Sequence, residues 1–130
     1  MLLSKNLTPL KAAAKLRIDT EAELTRGQFI TQGSGQAMAY QQKYLEAVAF
    51  LADETIADEE IPAIVGEVGI TAPTKYEVAQ VVVNMQAMWR QLSARIESLR
   101  LGAKTAVDLA PNPGAIDQAA TVDWESVLRG

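Results

Sequence analysis

The chain has no cysteine and no histidine. Without cysteine there is no disulfide framework, no zinc finger and no thiol nucleophile. Without histidine the commonest general base and the commonest transition-metal ligand are both missing. Aromatic residues make up only 5%, too few for a sandwich built on Tyr, Phe and Trp strands. No stretch approaches the roughly 20 apolar residues of a membrane span, and Met1-Leu2-Leu3-Ser4-Lys5 opens no apolar run of signal-peptide length. Synthesis in the cytoplasm, with no membrane partner, is the expectation. Acidic residues outnumber basic ones 16 to 12, which argues against a nucleic-acid partner, since that needs a basic surface facing phosphate.

What remains is apolar and rich in alanine. Hydrophobic residues account for 48% of 130 positions, enough for a globular chain with a real core. The pattern predicts an all-α fold: an antiparallel helical bundle with one long heptad-patterned helix and a short helical C-terminal tail. The long helix is expected over about 74–108. There Val78, Val82, Met85, Trp89, Leu92, Ile96, Leu99, Ala103 and Ala106 are spaced alternately four and three residues apart, a sustained heptad. Thr74 with Glu77 three residues later is a capping box. Trp89 at an a position is too large for a tidy two-stranded seam and points to a wider core. The seam can be filled by helices of the same chain or by another molecule. Gly102 is a candidate bend.

The earlier part of the chain reads as two more helices. Thr8 is an N-cap candidate with Pro9 at the first helical position, so a helix is expected from about Pro9 to Gln28. Its apolar face is Leu10, Ala14, Ile18 and Ala22, and its charges, with Glu21 and Glu23 opposite Lys11, Lys15 and Arg17, read as a solvated face. Gly33-Ser34-Gly35 reads as a chain reversal, with Ser34 capping the next helix; no preceding strand or following Gly-Lys-Ser/Thr makes it a phosphate loop. The second helix is expected over Gly35–Ala52 with a stripe of Ala37, Tyr40, Tyr44, Val48 and Leu51, and with Met38, Leu45 and Ala52 beside it. Asp53 to Glu60 lacks the glycine and spacing of a calcium loop and reads as a solvated acidic run. Ile61 to Val68 reads as a short helix stopped by Gly69.

Arg90, Arg95, Arg100 and Lys104 form no single stripe and read as a solvated face. Pro111 and Pro113 end the long helix, Asn112 caps a short helix over Ala115–Ala120, and Asp123 is a cap candidate for a last turn. Trp124, Val127 and Leu128 make the C-terminal end strongly apolar, either folded back or docked on a partner. The expected organisation is a lead-in over 1–8, a helical bundle domain over 9–109 and a tail over 110–130. The expected partner or oligomer interface is Val82, Met85, Trp89, Leu92, Ile96, Leu99, Trp124, Val127 and Leu128. No catalytic, cofactor-binding or metal-ligating set emerges, and no enzyme activity is expected.

Phe29-Ile30-Thr31, the Gly33-Ser34-Gly35-Gln36-Ala37-Met38-Ala39-Tyr40 turn and the late Val122-Asp123-Trp124 carry a resemblance. Over about residues 10–126 the chain resembles small helical proteins and C-terminal domains encoded beside tail-fibre genes of tailed bacteriophages. That resemblance implies a virion structural protein, a helical adaptor or component of the tail-fibre or baseplate apparatus. Its partners would be other phage tail or fibre proteins, in a homo-oligomer (a trimer among the options) or a hetero-assembly. The alternative it implies is a tail-fibre assembly chaperone that is not retained in the particle. The family has no assigned chemistry, so no catalytic residue or cofactor carries over.

Overall fold

The computed structural model describes residues 6–30 and 34–129. The lead-in residues 1–5 and residues 31–33, with the reversal expected at Gly33-Ser34-Gly35, lie outside the described residues, as does the side chain of Ser34 and hence its expected capping role. The fold is all-α. It comprises α1 (Thr8–Gly27), α2 (Ser34–Ala52), a 3-10 turn (Asp58–Glu60), α3 (Pro62–Gly66), α4 (Lys75–Leu109), α5 (Pro113–Ala120) and a second 3-10 turn (Trp124–Leu128), with no strand among the described residues. The chain forms two compact units, Met1–Ile30 with Gln91–Gly130, and Thr31–Arg90. The 35 residues of α4 span roughly 50 Å and belong to both units. The partition expected at residue 109 does not coincide with this division, because α5 and the last turn belong to the first unit.

In the first unit, α1 begins one residue earlier than expected. Thr8 is already helical, and the capping oxygen comes from Asn6, which accepts a hydrogen bond from the Thr8 N–H at 3.2 Å. Ala14, Ile18, Ala22 and Thr25 of α1 are buried, whereas Leu10 is half exposed. One apolar cluster joins Ala14 and Ile18 to Val107, Ala110, Ile116 and Ala120; another joins Ala22 to Leu92, Ile96 and Val127. Asn112 caps α5 as its position predicts, accepting from the Ala115 N–H at 2.8 Å. Asp123 makes no capping bond; its carboxylate pairs instead with Arg129. The C-terminal end folds back: the Trp124 indole N–H donates to Glu21 at 2.9 Å.

The charges of α1 and α4 stay largely solvent-accessible, as their spacing suggests, but they also pair across the two helices. Lys15 pairs with Asp108 at 2.8 Å, and Lys11 donates to the Asp108 carbonyl oxygen at 2.8 Å. Asp19 accepts from Arg100 at 2.8 Å and Lys104 at 3.0 Å. Arg95 donates to the Val127 carbonyl at 2.9 Å. Exposed ion pairs contribute little singly, but this run of pairs fixes the register between α1 and the second half of α4.

The Lys104 ammonium and then the Arg100 guanidinium hold the Asp19 carboxyl below its usual range, against the opposing effect of burial. An unfolded chain therefore takes up that proton more readily than the folded one. The stability due to Asp19 is complete above its unfolded range, near about pH 4, and is lost as pH falls through the folded value. The melting temperature of the chain is expected to fall more steeply on acidification below about pH 4 than that of an Asp19→Asn variant; parallel curves would refute the linkage.

Gly102 neither bends nor ends α4, which continues to Leu109. It is exposed, and a Cβ there would meet nothing within 4 Å. Gly102→Ala is expected to stabilise the chain by about 0.5–1 kcal/mol through backbone entropy alone, read as a higher urea midpoint with an unchanged slope.

In the second unit, Ala47 and Phe50 of α2, Ile61 and Ile64 around α3, and Val78 and Ala79 of α4 form the core. The phase of α2 differs from the expected stripe. Its buried residues are Glu46, Ala47 and Phe50, while Tyr40 and Tyr44 are half buried and Val48 is exposed. Glu46 lies on the inward side. Its carboxylate accepts from the Ala63 N–H at 2.8 Å and the Ile64 N–H at 3.3 Å. Pro62 has no N–H, so these are the first backbone donors of α3, and α2 caps α3 from 17 residues away. α3 ends at Gly66, short of the expected Val68, with Glu67 as a right-handed C-cap; Gly69 takes the left-handed conformation, φ 86°, not as the helix stop but in the following turn, where its N–H donates to the Ala72 carbonyl at 2.8 Å. Thr74 caps α4, its hydroxyl accepting from the Glu77 N–H at 3.1 Å; the Glu77 carboxylate answers by accepting from that hydroxyl at 3.2 Å.

Candidate functional site

The nine residues expected to form an interface separate into three groups. Leu92, Ile96 and Val127 are buried in the first unit, with Leu99 and Trp124 packed against them. Val82 packs on the core of the second unit. Leu92, Ile96 and Val127 are covered by their own chain and are not free for a partner, which corrects that part of the expected interface, and Val82, Leu99 and Trp124 are partly covered. The physical reason is that α1, the last 3-10 turn and α3 supply the apolar surface that a second molecule would otherwise bring. The remaining three are available. Met85 is 60% and Leu128 61% exposed, and Trp89 is half buried without joining any of the three apolar clusters.

Met85 and Trp89 sit in an unusual length of helix. No residue of α4 from Gln80 to Arg90 is buried, yet none from Val78 to Trp89 is charged. Met88, which the heptad pattern does not include, is 56% exposed there. Apolar surface without charge is the composition of an interface core rather than of a solvated helix face. Of aromatic neighbours, Tyr44 of α2 stacks under the Arg90 guanidinium, 5.5 Å from it, so the one cation at the end of this stretch is already engaged.

Trp89 is therefore not the core residue its size suggests. Trp89→Ala is expected to cost the isolated chain about 1 kcal/mol, well below the 3–5 kcal/mol of a buried tryptophan. A thermal melt showing the larger loss would put Trp89 in the core.

The groups that could do chemistry do not converge. Among the described residues no three carboxylates lie close enough to hold a metal ion. An open depression of about 240 Å³ in the first unit is lined by Leu10, Ala14, Arg17, Ile116, Asp117 and Ala120 among others. Its one cation, Arg17, is neutralised by Glu21 at 3.0 Å and Asp117 at 3.4 Å. Glu21 in turn is held below the usual carboxyl range chiefly by the Trp124 indole N–H, with burial opposing and Arg17 assisting. It is a structural acceptor in its ionised form, not a proton donor poised near neutrality.

What sequence reasoning missed is the outer side of α2. Met38 is 73% and Leu45 56% exposed, side chains that the expected stripe treated as neighbours of the core. The signal was present in the spacing of the uncharged positions, but a buried Glu46 hid which side of the helix faced inward. No family model, no curated protein and no solved structure matches this chain.

Proposed function

We propose that this protein is a helical adaptor of a phage tail-fibre or baseplate apparatus, a virion structural protein that acts through helix–helix contacts. The observation that carries the reading is the uncharged, unburied middle of α4, with Met85 and Met88 exposed. A helix keeps such a surface at a cost in solubility unless something covers it. The setting in a phage tail rests on the sequence resemblance over about residues 10–126. The partners are other tail or fibre proteins.

A second reading has its own support. The exposed apolar side chains on these helices include Met38, Met85 and Met88, and methionine surfaces repack against different partners. That suits an assembly chaperone which binds a fibre protein and leaves. Mass spectrometry of purified particles, with copy number measured against the tube and capsid proteins, separates the two. A fixed multiple of three or six in the particle is the result expected of the adaptor. Absence from particles together with abundance in the infected lysate and capture on a fibre protein selects the chaperone. Absence from both particles and fibre complexes overturns the tail assignment.

A further inference from the structure

The solvent side of α2 carries a second heptad pattern. Met38, Gln41, Leu45, Val48 and Ala52 are separated by 3, 4, 3 and 4 residues. All five are exposed, Met38, Leu45 and Val48 by 73%, 56% and 43%. On a helix of 3.6 residues per turn they share one side, and the buried Glu46, Ala47 and Phe50 lie away from it. They form an a/d seam that points away from the core of its own unit. The positions flanking the seam are Ala37, Tyr44 and Leu51 on one side and Gln42 and Ala49 on the other. In coiled coils these flanks carry the charges that choose a foreign partner. Here none of the five is charged, and the cation beside them, Arg90, is stacked on Tyr44, so repulsion of an identical copy is confined to that one site.

We propose that α2 pairs with α2 of a second copy of this chain, antiparallel, about a two-fold axis level with Lys43. Charge sets the direction. Asp53, Glu54, Asp58, Glu59 and Glu60 follow α2 directly. A parallel pair would lay two such runs side by side. An antiparallel pair puts them at opposite ends of helices of 19 residues, roughly 28 Å apart and beyond the reach of screened repulsion. Packing sets the register: Met38 lies opposite Val48 of the second copy, and Gln41 opposite Leu45. The one polar layer lowers affinity and fixes alignment.

Size sets the strength. From Met38 to Ala52 the seam is about 21 Å long, and with its flanks it would bury on the order of 500 Å² on each copy. The total of about 1,000 Å² is the lower bound for a specific contact, so dissociation in the micromolar range is the expectation. Residues Thr31–Arg90 contain three basic and eight acidic residues. Two such units repel at a distance and adhere by an apolar face, so salt strengthens the association by screening. This dimer does not depend on the tail-fibre reading, and absence from particles would leave it standing.

Sedimentation equilibrium of the full chain, over about 5–500 µM at low and high salt, tests the proposal. The weight-average mass is expected to rise from 14.0 kDa toward twice that, and at lower concentration in high salt. Leu45→Glu, at an exposed position, is expected to keep the melting temperature and abolish the rise. Met38→Lys and Val48→Glu are each expected to weaken the dimer at least about tenfold, or 1.4 kcal/mol. Together they are expected to restore it, because antiparallel pairing sets the new cation against the new anion. A mass that stays at 14.0 kDa throughout overturns the proposal. So does a dimer indifferent to Leu45→Glu, or a double variant no tighter than either single one.

Discussion

Ile96→Ala is expected to destabilise the free chain by about 3–4 kcal/mol, the cost of a buried isoleucine whose site cannot collapse. Ile96 is fully buried among Ala22, Leu92 and Val127, with Phe29, Leu99 and Trp124 around them. Three of those neighbours come from α1 and the C-terminal end, so a shorter side chain leaves a void lined by separate elements. Trp124 reports on this site. In a Trp89→Phe background it is the only tryptophan of the chain, and its fluorescence follows the first unit alone. The unfolding transition is expected to move down by on the order of 10 °C. Leu101→Ala serves as the control on the same helix. Leu101 is 53% exposed, and its loss is expected to stay within about 0.5 kcal/mol. If Ile96 were instead an interface residue, the two variants would melt alike when the chain is alone.

That distinction is where sequence reading reached its limit for α4. The helix itself was legible. Thr74 and Glu77 marked its start, Pro111 and Pro113 lay just beyond its end, and the alternating spacing from Val78 onward required an apolar seam. A seam has the same spacing whether a partner molecule or the same chain fills it. What fills it here is the apolar side of α1 and a fold-back of Trp124 and Val127, contacts between residues roughly 30–100 positions apart. The ion pairs joining Asp19 to Arg100 and Lys104 are equally remote. Each partner read singly as a surface charge, and only the antiparallel run of α1 beside the second half of α4 brings them together.

In α2 the failure was of another kind. The helix and its ends are legible, but counting apolar residues gives the wrong phase, because the inward side holds a glutamate. Charged residues are almost never buried unless paired, so a pattern argument turns Glu46 outward and rotates the whole helix with it. That phase puts Val48 in the core and Met38 and Leu45 beside it, whereas all three are exposed.

Glu46→Ala is the sharpest test of that account, with an expected loss of about 2–4 kcal/mol from the second unit. The glutamate is 8% exposed, and one oxygen takes both Ala63 and Ile64 N–H groups while the other accepts from Gln42 at 2.8 Å. Alanine would strand two backbone donors at the start of a helix of five residues, too short to hold itself without tertiary support. Glu46→Gln keeps an acceptor oxygen and the shape but gives up the charge, and is expected to cost about 1 kcal/mol. Denaturation followed by Trp89 in a Trp124→Phe background reads the second unit, and hydrogen exchange at Ala63 and Ile64 reads the cap. The expected order is wild type above Glu46→Gln above Glu46→Ala, with exchange at both amides fastest in the last. Equal midpoints for all three would mean that water can take the place of the carboxylate and that Ile61, Ile64 and Phe50 hold α3 unaided. The graded loss would mean that one buried charge sets the rotation of α2, and with it the side on which Met38, Leu45 and Val48 are left exposed.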